Sequence, residues 1–141
     1  MVIQRLQSLW LLFAAVLMGL FCFMPMFLVV DNSAPEHQFV MPADMPVFMV
    51  VSGVVALLLF IAIFLYKNTR RQKTVILVSL FLIVACCVAE VCVYMGWGGI
   101  ALPLKWQGSA FLLLGALLFA IMAYCGIRKD ENLLRAADRL R

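Results

Sequence analysis

Long apolar runs alternate with short polar breaks along the whole chain. Uncharged runs occupy Leu6–Val30, Met45–Tyr66 and Trp106–Ile127, and a fourth, Thr74–Trp97, is broken only by Glu90. A helix crossing a hydrocarbon core of roughly 30 Å needs about 20 residues. In lipid, a segment must satisfy its own backbone hydrogen bonds, so runs of this length predict helices. The strict alternation of barrel strands is absent. The expected spans lie near residues 8–29, 46–66, 75–95 and 107–127, forming a membrane unit over 1–127 with a tail over 128–141. Short connections favour antiparallel neighbours. The predicted fold is an all-α membrane protein: a four-helix up-down transmembrane bundle with a short amphipathic cytoplasmic C-terminal helix.

Composition narrows the classes further. Of 141 residues, 67% are hydrophobic and 13% charged, where soluble domains carry about 25% charged residues. A chain of this size has too little interior to hide so much apolar surface. This excludes an ordinary soluble domain, a disordered chain and a nucleic-acid-binding domain. The net charge of +4 does not point to nucleic acid, because the bases sit at the ends of apolar runs. Of the 11 bases, only Lys105 falls on the side opposite the termini and the Lys67–Lys73 turn. The positive-inside bias predicts both termini in the cytoplasm. No small-x-small cleavage site precedes Asp31, so the first run is expected to stay as a span rather than act as a signal peptide.

The spans are nearly featureless. Ala15 and Gly19, Ser52 and Ala56, Ala85 and Ala89, and Ala116, Ala120 and Ala123 stand at helical spacing. Small residues of this kind let lipid-embedded helices approach one another, within a bundle or between copies. Pro25 should kink or end the first helix. Pro35, Pro42, Pro46 and the Gly96–Pro103 stretch mark two irregular outer loops.

Glu90 is the only ionisable side chain inside a span, and such a residue is a functional candidate by default. It lies about 22 Å along the third helix, toward its outer end. It could bind a proton or cation, or simply fix packing by bonding a neighbour such as Tyr94. The five cysteines form no C-x-x-C motif, and all fall in apolar runs. Packing is their expected role, and Cys22 and Cys92 are the pair that both lie toward the outer side. Asp31, Glu36, His37 and Asp44 form an acidic outer loop without a metal-binding spacing. No catalytic residue, cofactor or metal site is expected.

The tail differs in kind. Leu133, Leu134, Ala137 and Leu140 share one helical side, and Glu131 and Arg135 stand four apart. Such a stripe needs a cover: the bilayer surface, the bundle's own end or a protein partner. Three acids among five bases favour protein. Gln4, Arg5, Asp130, Glu131, Arg135, Asp138 and Arg139 are the candidate residues of a cytoplasmic rim, with the Gln7 segment near enough to bond the tail's carboxylates.

The opening Ile3-Gln4-Arg5-Leu6-Gln7-Ser8-Leu9, the closing Ile127-Arg128-Lys129-Asp130-Glu131 and the final Ala137-Asp138-Arg139-Leu140-Arg141 resemble an uncharacterised family of the Bacteroidota, catalogued as a domain of unknown function. The resemblance implies a small four-span protein of the bacterial inner membrane and brings no activity with it. The expected role is structural or accessory, with the lipid bilayer and a homo-oligomer or larger membrane complex as partners. The alternative is a small transporter or channel subunit using Glu90.

Overall fold

The computed structural model describes residues 2–30, 38–97, 99 and 104–141, and of residues 2–5 only the backbone. The chain is an all-α bundle. Its helices are α1 (Val2–Phe21), α2 (Pro46–Phe64), α3 (Thr69–Tyr94) and α4 (Ser109–Arg139). The sequence suggests a first helix near 8–29, but α1 starts earlier and stops at Phe21. Pro25 accounts for the stop: in a continuing helix its ring would meet the carbonyl four residues back, that of Phe21. Pro46 opens α2 at a position where a missing N–H costs nothing. Asn68 caps α3, its side chain accepting from the Arg71 amide. At the other end of α3, Gly96 adopts φ 94°. There the amides of Gly96 and Trp97 donate to the carbonyls of Val93 and Cys92, closing a Schellman motif.

In their described residues, the connections from α1 to α2 and from α3 to α4 are not merely irregular turns. Phe27–Val29 (β1), Gln38–Val40 (β2) and Leu104–Trp106 (β3) form a small antiparallel sheet with β1 central. The Met26 amide donates to Val40 at 2.8 Å, and the Gln107 amide donates to the Met26 carbonyl at 3.1 Å. The sheet thus ties the link after α1 to the link before α4. Phe27, Tyr94 and Trp106 pack ring on ring beside it, with centroids 5.0 to 6.3 Å apart.

Helices consecutive in sequence pack side by side, and α1 closes the ring against α4. The interior follows one rule on all four, with Ala15 of α1 buried beside the series. Gln7, Leu11, Ala14, Met18 and Phe21 are buried on α1, and Phe48, Ser52, Val55, Leu59 and Ala62 on α2. On α3 the buried series is Gln72, Ile76, Ser79, Ile83, Cys86, Glu90 and Val93, and on α4 Ser109, Leu113, Ala116, Ala120, Ala123 and Ile127. The steps alternate between four and three residues, the repeat of a left-handed supercoiled bundle. Helices in lipid gain little from hiding apolar surface from one another, so close packing and hydrogen bonds carry the association. Gly115 and Gly126 allow α1 close to α4: a Cβ there would stand 3.0 Å from Leu17 Cδ1 and from Gln7 Cγ, respectively. The small-residue stripes therefore divide. Ala116, Ala120 and Ala123 serve internal packing, whereas Ala85 is exposed.

The outer surface is apolar, with Phe111 79% and Phe81 74% exposed. Among the described residues, three helices are long and apolar enough to cross a membrane: α2 with the 3-10 turn that follows it, α3, and α4. The apolar part of α1 is shorter, Leu6–Phe21. The tail continues the fourth helix rather than bending from it. α4 runs unbroken from Ser109 to Arg139, past the end of the bundle.

Candidate functional site

The buried polar side chains are Gln7, Ser52, Gln72, Ser79, Glu90 and Ser109 among the described residues, and every one occupies a position of the four-three repeat. An interior polar group must find a partner or lose about 1–3 kcal/mol. Ser79 donates to the Val75 carbonyl of its own helix, and the other partners draw the polar chemistry into a group at each end of the bundle.

At the end carrying the termini, the Gln7 Nε2 donates to Asp130 Oδ2, joining α1 to α4. Lys73 of α3 is bonded to Glu131, and Arg135 Nη2 lies 2.7 Å from the other oxygen of that carboxylate. The Gln72 Nε2 donates to the Ala62 carbonyl at 3.0 Å, joining α3 to α2. All four helices therefore meet in one polar girdle. It surrounds a cavity of about 50 Å³ lined by Gln7, Tyr66, Gln72, Ile127, Asp130 and Glu131, among others. The hydrogen bond from Lys73, with Arg135 beside it, holds the Glu131 carboxyl below its ordinary value.

At the sheet end, Glu90 is 1% exposed. Ser109 Oγ donates to its Oε1 at 2.7 Å and stands 3.4 Å from the Met26 carbonyl. Ser109 is the first residue of α4, where unpaired amides and the helix dipole favour an acidic neighbour. One hydroxyl thus gathers α3, α4 and the entry to β1. Tyr94 is not the partner of Glu90. Its ring packs on Phe27 and Trp106, and it is 39% exposed. Cys22 also finds a different neighbour from Cys92, its Sγ lying 3.1 Å from Ser52 Oγ. All the cysteines are free.

Of the rim residues, Asp130 and Glu131 turn toward the bundle. Arg135 pairs with Glu131, and Asp138 and Arg139 are exposed. The side chains of Gln4 and Arg5 lie outside the described residues, as do Asp31, Glu36 and His37 of the acidic loop. Asp44 accepts from the Met41 amide at 2.8 Å within a 3-10 turn. Sequence reading missed Lys73, Gln72, Gly126 and Ser109. A signal existed for Gln72: with Glu90 and Ser79 it keeps the four-three register of α3. Partners across the chain, such as Lys73 for Glu131, left no local trace.

A family model described as Domain of unknown function (DUF4293) matches residues 3–140. No curated protein and no solved structure matches the chain. The family match takes in every helix, the girdle at the termini and the Glu90–Ser109 contact, and the chain accordingly belongs to the DUF4293 family.

Proposed function

We propose that the protein is a non-enzymatic membrane accessory protein whose bundle anchors and aims the end of α4 as an arm for assembly. The observation that carries this reading is the arm itself. From Asn132 onward every residue is exposed, including Leu133 at 55%, Leu134 at 63% and Leu140 at 90%. Immediately before it, Asp130 and Glu131 are gripped by Gln7 and Lys73. A helix with an uncovered leucine stripe, fixed in direction at its base, suits binding to a second copy or to a larger membrane complex. The bias of bases toward this end supports a bacterial inner-membrane location with both termini in the cytoplasm. Truncation after Asn132 removes the arm and keeps its base. Sizing in mild detergent, with identification of co-purified proteins, should then show loss of assembly. Unchanged size and unchanged partners would remove this function.

The buried Glu90 favours a second reading, a small transporter or channel subunit. A carboxyl enclosed between two apolar helices is costly and marks ion pathways in many membrane proteins. Flux through proteoliposomes that is lost in Glu90→Gln would promote this reading. A parent protein without flux would retire it.

A further inference from the structure

Arg128 and Lys129 stand directly after Ile127, the last fully buried position of α4. The acids next to them are already occupied. Asp130 is bonded to Gln7, and Glu131 to Lys73 and Arg135. Arg128 and Lys129 therefore remain exposed, with no acidic partner among the described residues. By sequence, the tail's three acids offset its bases. In the folded chain, two of those acids are spent on the bundle, and the outward face of α4 is left basic.

That face joins its charge to an apolar surface. Cys125, Arg128, Lys129, Asn132 and Leu133 form one open, nearly flat patch on the outward side of α4. Asn132 lies four residues after Arg128 and three after Lys129, so the three polar side chains share one side of the helix. Toward the bundle, that same side continues as the exposed Ile121, Met122 and Cys125. Bases placed just beyond an apolar outer face stand at headgroup level.

We propose that Arg128, Lys129 and Asn132 bind the phosphate of an anionic glycerophospholipid, with its acyl chains along the Ile121, Met122 and Cys125 side of α4. The guanidinium offers a planar fork to two phosphate oxygens, the ammonium a point charge, and the amide a further donor. Free phosphate carries at least as much negative charge but cannot use the apolar track. Lys67, Arg70 and Arg71 are exposed at the same end but lie outside this patch, and serve as the internal control for diffuse attraction.

The test is lipid retention measured by native mass spectrometry on the full chain, with phosphatidylglycerol and phosphatidylcholine of matched acyl chains. Phosphatidylglycerol should be retained roughly thirtyfold more strongly, as expected for two bases at an anionic headgroup. The R128Q/K129Q double variant should bring the two lipids close to parity, and R70Q/R71Q should leave the preference standing. Truncation after Asn132 should also leave it standing, which separates this site from the arm's role in assembly. Millimolar inorganic phosphate should not displace the lipid. Equal retention of both lipids by the parent would overturn the site. So would a preference that survives R128Q/K129Q, one lost equally in R70Q/R71Q, or displacement by phosphate. The parent comparison stands without any variant.

Discussion

Gln7 and Asp130 are separated by 123 positions in the chain, yet the amide of one donates to the carboxylate of the other. The bond fastens the start of α1 to the point where α4 leaves the bundle. Gly126 makes it possible: a side chain at that position would press on Gln7 Cγ at 3.0 Å. The direction of the arm thus depends on a long-range contact and on one missing methyl group.

Gln7→Leu leaves the Asp130 carboxylate without its donor and should cost about 1–3 kcal/mol. Gly126→Ala should destabilise the parent by crowding Gln7. The same substitution should cost less in a Gln7→Ala background, where the crowded atom is gone. Thermal unfolding of the four proteins in one detergent gives the coupling between the sites. Strict additivity would show that Gly126 does not act through Gln7.

Glu131 supplies a pH signature. Its folded-state pKa lies below its ordinary value of 4.5, chiefly through the hydrogen bond from Lys73. A depressed carboxyl stabilises the fold fully above its unfolded pKa, and the contribution fades as pH falls through the folded value. The stability advantage of the parent over Lys73→Met should therefore be constant near neutrality and shrink below about pH 4.5. Added salt should also reduce it, because the pair is partly exposed. Thermal unfolding across pH checks this, and an advantage that grows on acidification would contradict the assignment.

At the sheet end, Ser109→Ala removes the donor to Glu90 and should cost about 1–3 kcal/mol. Glu90→Gln keeps a polar group of similar shape opposite Ser109 and should be milder. Glu90→Leu should loosen the link between α3 and α4 more than Glu90→Gln does. Unfolding of the three variants gives the order. If Glu90→Gln proved the most damaging, the carboxyl would have to do more than hold this contact.

The all-α membrane class was legible because lipid dictates it: apolar runs of this length have few ways to satisfy their backbones. The limits of the helices were less legible. Hydropathy reads Phe27, Leu28 and Val29 as more of the first span, since apolar residues suit a strand equally well. Pro25 was the local sign that the helix had ended. The tail was recognisable as helical, but its periodicity did not show whether it bends back or runs straight on from Ile127. Glu90 stood out as an ionisable residue in a span, whereas Ser109 did not, because a serine after a glycine at a loop edge is unremarkable. Asp130 and Glu131 were visible as tail acids. Their inward turn depends on Gln7 and Lys73, which the fold brings from far away in the chain.

The account rests on α4 carrying its arm to the side that also holds the basic turn, opposite Lys105. Labelling of intact spheroplasts with an impermeant thiol reagent tests this most directly, using a cysteine-free chain given a single cysteine at Lys105 or at Arg141. Lys105→Cys should react in intact spheroplasts and Arg141→Cys only after lysis. Reaction of Arg141→Cys from outside would place the arm on the wrong face of the membrane and contradict the account.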